Sequence, residues 1–270
     1  MTAKPTRGRL LVGTSSWTAK GWLGTFYPSG TKQSDFLIHY AKRFSTVEVD
    51  STFYAIPRAA VVENWRDITP DGFVFAAKAP QTIRQVQMLG GVGDDLDAFL
   101  NTMSLLGDKL GPILFQFPYY AKRTGVTEDI LLHRLKKFAE LLPKEGFRFA
   151  VEVRNKTWVN AYLFEILHDH NLAFTFIDHP WMAPCDQLLK HEGALTADFS
   201  YIRWLGDRKG IEKTTKVWNE TVVDRTEDVA KWAPHVQDML DKGIDVYTYV
   251  NNHYGGYAPA EADKLYELVG

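Results

Sequence analysis

Apolar residues along this chain gather into short β-branched or aromatic runs, most of them separated by stretches with helical spacing. The runs are "RLLVGT" (9–14), "TVEVD" (46–50), "FVFAAK" (73–78), "PILFQF" (112–117), "FRFAVEVR" (147–154), "LAFTFID" (172–178), "SYIRWL" (200–205) and "DVYTYV" (245–250). Each has the length and residue types of a strand. Between them the spacing predicts helices over 34–44, 94–110, 127–142, 159–170, 226–242 and 259–269. The first opens on Ser34 as an N-cap and sets Phe36, Ile38 or Tyr40, and Phe44 near one face. In "TEDILLHRLKKFAELL" (127–142) acids precede bases, as the helix dipole favours, and Pro143 with Gly146 supplies a stop signal.

Eight strands alternating with helices over about 250 residues is the count of an α/β protein built as a single (β/α)8 TIM-type barrel. A doubly wound open sheet uses the same alternation, but no G-x-G-x-x-G or P-loop string follows the first run. With no linker or low-complexity segment, the expectation is one domain over 1–270. Connections 179–199 and 206–224 are too long to be simple turns, and such loops tend to serve function.

A buried parallel strand normally reads as a continuous apolar run, yet Glu48 and Asp50 interrupt the valines of "TVEVD". Strand alternation resolves the conflict: Val47 and Val49 face the helices, and the two acids face the barrel axis. The same parity sends Lys78, Gln116, Glu152 and Arg154 inward near the ends of the next three strands. Asp178 and Arg203 lie near the ends of the sixth and seventh, and "NNHYGG" (251–256) follows the eighth. Barrel active sites lie at those carboxyl ends. Glu48, Lys78, Glu152, Arg154 and His253 are therefore the candidate catalytic groups. Asp50, Tyr54, Gln116, Asp178, Arg203, Asn251 and Asn252 are the candidate substrate-binding groups. As structure alone, Glu48 with Lys78 and Glu152 with Arg154 would be ion pairs plugging the barrel, but desolvation costs several kcal/mol per ion, which favours function.

Composition narrows the chemistry. There are 31 basic against 33 acidic residues, which disfavours nucleic acid and gives no sign of a membrane partner. The lone Cys185 excludes an intrachain disulfide and suits a reducing, cytoplasmic setting. The N-terminus lacks the apolar stretch of a signal peptide, and no run approaches the roughly 20 apolar residues of a membrane span. No spaced histidine motif appears, so zinc is not expected and no cofactor is implied. Glu48, Asp50, Glu152, Asp178 and His253 still offer the ligand types of a magnesium or manganese ion.

Several segments together, "VGTSSWTAKGWLGTFYP" (12–28), "VEVDSTFYAIP" (47–57), "FVFAAKAP" (73–80), "LFQFP" (114–118), "AVEVRNKTW" (150–158) and "YVNNHYGGYAPAEADKL" (249–265), resemble the YecE-like family, the domain of unknown function numbered seventy-two. The resemblance runs from end to end in the same order and implies a one-domain TIM-type barrel; it supplies no reaction. It weakens in "GDRKGIEKTTKVWNE" (206–220), where substrate preference would differ.

Two carboxylates in unlike surroundings can divide acid and base roles. Lys78 can act as a Schiff-base nucleophile or as a fixed cation, and nearby carboxylates favour the cation. Arg154 and Arg203, with Arg208 and Lys209 beyond, point to a phosphate- or carboxylate-bearing ligand. The expectation is an uncharacterised TIM-barrel enzyme of hydrolase or lyase type acting on a small polar or phosphorylated substrate. The alternative is a non-catalytic nucleotide or nucleic-acid binder using the loop after the seventh strand.

Overall fold

A computed structural model describes residues 6–85 and 93–269. Residues 1–5, part of the stretch read for a leader, lie outside the described residues. The strands are β1 (Leu10–Thr14), β2 (Thr46–Val49), β3 (Val74–Lys78), β4 (Leu110–Phe117), β5 (Phe149–Val153), β6 (Leu172–Asp178), β7 (Phe199–Trp204) and β8 (Asp245–Val250). No end departs from its apolar run by more than two residues. They form one sheet in the order β1-β8-β7-β6-β5-β4-β3-β2. Sequential neighbours with β1 beside β8 are the signature of a (β/α)8 TIM-type barrel, whereas a doubly wound sheet would reverse direction at a crossover.

The helices are α1 (Phe36–Tyr40), α2 (Ala59–Ile68), α3 (Gln81–Gln85), α4 (Gly93–Met103), α5 (Glu128–Ala139), α6 (Ala161–Asp169), α7 (Cys185–Leu188), α8 (Arg208–Ile211), α9 (Thr226–Asp241) and α10 (Ala258–Val269). Two expectations need correction. The helix over 34–44 shrinks to α1, with Asp35 in place of Ser34 at its N-cap position and a 3₁₀ turn over Gln33–Asp35 before it; Ser34 Oγ donates to Asp35 Oδ1 at 2.9 Å. The helix over 94–110 stops at Met103; a 3₁₀ segment follows, and Gly107 there takes the left-handed φ of 57°. Helices α5 and α6 start where side chains cap them. Thr127 accepts from the Ile130 N–H, and Asn160 Oδ1 accepts from Tyr162 and Leu163. Among the described residues no helix is long and apolar enough to cross a membrane.

The chain divides into two compact units, one of Met1–Glu48, Phe176–Lys190 and Asp198–Gly270, the other of Val49–Thr175 and His191–Ala197. In the first, β8 lies between β1 and β7, and Tyr249 is level with both Gly13 and Arg203. A Cβ on Gly13 would stand 2.1 Å from the Thr46 carbonyl oxygen, so only glycine lets β1 pass the start of β2. Tyr40 ties the two together, accepting from the Thr14 N–H at 2.9 Å and donating to the Thr46 carbonyl at 3.0 Å.

In the second unit β4 lies between β3 and β5. Phe75 is level with Leu110 but Ala77 with Ile113, so β4 carries one extra residue there. Beyond this bulge Lys78 is level with Leu114, and Gln116 with Glu152. Leu114 and Gln116 share parity, so Lys78, Gln116 and Glu152 leave the sheet on one face.

Candidate functional site

In the first unit Glu48 is fully buried. Its Oε1 accepts from Arg203 Nη2 at 2.6 Å and its Oε2 from the Tyr201 hydroxyl at 2.7 Å. Arg203 and Tyr201 alternate on β7 and so reach the same face. Burial first, and the Glu48 charge second, hold the Tyr201 hydroxyl well above its usual range, so it stays a donor. Sequence reasoning did not pick out Tyr201, although its two-residue spacing from Arg203 was the available signal.

Asp178 closes β6 and accepts from Trp232 Nε1 at 2.8 Å. Burial raises its pKa, against the opposing Trp232 hydrogen bond. It lines a cavity of about 300 Å³ together with Cys185, Arg225 and Trp232.

After β8, Asn252 Oδ1 accepts from Trp22 Nε1 at 3.1 Å and from the Ala258 N–H at 3.0 Å, which anchors the loop to the start of α10. Asn251 Oδ1 accepts the His253 N–H at 3.0 Å and meets His253 Nδ1, while His253 Nε2 lies 3.2 Å from Glu212 Oε1. Trp218 stands edge-on to the imidazole with ring centroids 4.7 Å apart, at a left-handed φ of 62°. Such strain in a non-glycine residue costs about 1–3 kcal/mol and persists only where surroundings enforce it. Burial and then Arg208 press the His253 pKa down, against Glu212. Glu212 and Trp218 went unrecognised in sequence, because both sit in the charge-rich loop after β7. Arg208 there is exposed and bonded to Glu212 at 2.8 Å, and Lys209 lies over the Trp181 ring at 5.9 Å.

The second unit collects the other candidates. Lys78 ends β3 with its ammonium 3.4 Å from Asp50 Oδ1 and 4.5 Å over the Phe53 ring. Thr52 Oγ1 reaches the Val49 and Lys78 carbonyls at 2.8 and 2.7 Å, fixing the turn that carries Asp50. Tyr54, 75% exposed, stands edge-on to Phe53. Gln116 is buried beside Glu152 in register. Glu152 is also buried, and its Oε1 accepts from Arg154 Nε at 2.6 Å; the Arg154 side chain is 38% exposed. The two terminal nitrogens of Arg154 make no protein hydrogen bond among the described residues. Trp17 and Trp22 are buried in the first unit. Among the described residues no group of three His, Cys, Asp or Glu side chains is placed to hold a metal ion.

Fold and strand-end chemistry together define an α/β barrel protein with ionisable groups where barrel enzymes keep their active sites. Residues 11–270 match the family described as protein of unknown function DUF72, and the chain belongs to that family. It is 27% identical to the UPF0759 protein YunF of Bacillus subtilis (strain 168), over 96% of this chain and 94% of that protein. To the UPF0759 protein YecE of Escherichia coli (strain K12) it is 34% identical, over 54% of this chain and 48% of that protein. A crystal structure of a DUF72 family protein from Thermotoga maritima shares the fold at a TM-score of 0.75 and 23% identity, covering 96% of this chain and 98% of its own. One from Enterococcus faecalis V583 does so at 0.72 and 21%, covering 96% and 95%.

Proposed function

We propose that the chain is an enzyme doing acid–base chemistry, of hydrolase or lyase type, on a small polar substrate with an anionic group, at the strand ends of its second unit. The observation that carries this is Arg154. Its Nε is fixed by the buried Glu152 carboxylate, while its two terminal nitrogens make no hydrogen bond among the described residues and the side chain is 38% exposed. A guanidinium held on one edge presents the other as a ready fork for a carboxylate or phosphate. Asp50, its side chain 31% exposed, is the proton-transfer group, and the adjoining Lys78 stabilises developing negative charge. Glu152 works through Arg154 and does not touch the substrate; Gln116, beside it, orients the ligand.

The test is turnover of a panel of phosphorylated and carboxylated metabolites, followed by mass spectrometry. Wild type should consume at least one compound. Asp50→Asn should cut kcat by about 100-fold or more, on the scale of general acid–base catalysis. Arg154→Gln should raise KM with a smaller effect on kcat. Turnover indifferent to both substitutions, or none across the panel, sinks the reading.

A further inference from the structure

The loops following β4 and β5 enclose a cleft of about 550 Å³ whose walls include Tyr119, Tyr120, Trp158, Lys122, Lys156 and Glu128. Buried Asn155 clamps the two loops, accepting the Tyr120 N–H at 2.8 Å and donating to the Tyr120 carbonyl at 2.9 Å. The rings of Tyr120 and Trp158 are stacked 18° from parallel with centroids 5.9 Å apart. A flat guest between them would need about 7 Å, twice the ~3.5 Å contact distance. The pair is thus a platform with an outer face, and exposed Tyr119 adds a second apolar surface.

The polar groups narrow the guest further. Lys122 and Lys156 line the cleft, and neither makes an ion pair among the described residues. Among the described residues Glu128 accepts only from Asn160 Nδ2, at Oε1, which leaves Oε2 for hydroxyl donors. An aromatic face suits the C–H face of a sugar ring, a carboxylate suits its hydroxyls, and two ammonium groups suit an anionic substituent. We propose that this cleft binds a sugar ring carrying a phosphate, chemistry shared by free sugar phosphates and by the ribose phosphate of a nucleotide.

This site goes beyond the acid–base reading and contains none of Asp50, Lys78 or Arg154. Isothermal titration of the full chain with ribose 5-phosphate, glucose 6-phosphate, adenosine monophosphate, ribose and inorganic phosphate tests it. At least one of the three sugar-phosphate compounds should bind ten-fold or more tighter than both ribose and inorganic phosphate. Tightest binding of ribose or glucose phosphate identifies a free sugar phosphate, and tightest binding of adenosine monophosphate a nucleotide; either supports the proposal. Tyr119→Ala, at an exposed position that folding tolerates, should weaken binding at least five-fold, and Lys122→Gln with Lys156→Gln ten-fold. Binding no tighter than to inorganic phosphate, or unchanged in both variants, overturns it. That failure would leave the acid–base reading standing, since the readout is binding in a cleft without its groups.

Discussion

Replacing Arg203 by methionine probes the dry ion pair in the first unit. The side chains of Glu48 and Arg203 are 0% and 2% exposed, and their contact is 2.6 Å. Methionine keeps most of the volume but strands a carboxylate in the interior, where, among the described residues, the Tyr201 hydroxyl at 2.7 Å is its one remaining hydrogen-bond donor. Breaking such a pair costs about 3–5 kcal/mol, because the remaining charge keeps its desolvation penalty and loses its attraction. Tyr201→Phe, which removes one hydrogen bond to a charged group, should cost about 1.5–3 kcal/mol. Glu48→Leu combined with Arg203→Met removes both charges, and such replacements range from neutral to stabilising by about 1–4 kcal/mol, offset here by about 1–3 kcal/mol for the Tyr201 hydroxyl left without its acceptor. The double variant should therefore be more stable than Arg203→Met alone. Urea unfolding followed by circular dichroism reads these differences, and at ~2 °C per kcal/mol for a chain of this size they also appear in Tm. An Arg203→Met cost below about 1 kcal/mol, or a double variant as unstable as the sum of its singles, would refute the argument.

Two further outcomes follow from groups whose pKa values are displaced. His253 sits below its ordinary 6.5 through burial first and Arg208 second, so its stabilising contribution is complete above that value and is lost as pH falls through the lowered folded one. Between about pH 7.5 and about pH 5 the urea midpoint of wild type should fall further than that of His253→Gln; equal falls would contradict this. Cys185 is 4% exposed and burial pushes its thiol up to about 11. Iodoacetamide near pH 8 should label it only after unfolding, and rapid labelling of the native chain would count against its burial.

Strand parity is what made the charged positions legible. Glu48 alternates with valines, and Lys78, Gln116 and Glu152 hold the inward places at the ends of the next three strands. Partner choice was not legible, because it depends on which side chains meet in space. Nothing local to "TVEVD" specifies that Glu48 takes its 2.6 Å contact from β7. Helix α2 was overlooked because it buries only Val62 and Trp65, too few apolar positions for the periodicity to stand out. In the loop after β7, Arg208 and Glu212 are spaced as a helical pair, but nothing in the sequence indicates that Glu212 also reaches the imidazole of His253.

Three acid–base pairs that form only in the fold differ in their access to water, and that difference underlies the roles proposed for them. Glu48 with Arg203 is dry on both sides. Glu152 with Arg154 is dry at the carboxylate and 38% exposed at the guanidinium. The buried acid then orients a cation whose open edge meets solvent, as anion binding requires. Asp50 with Lys78 is partly exposed at the carboxylate, 31%, and 12% exposed at the ammonium, across a looser 3.4 Å contact. Of the three it is the one where a substrate can compete with the partner for hydrogen bonds, and proton transfer demands that reach. Under the proposed reading, exposure favours Asp50 over Glu48, two residues before it, as the acid–base group.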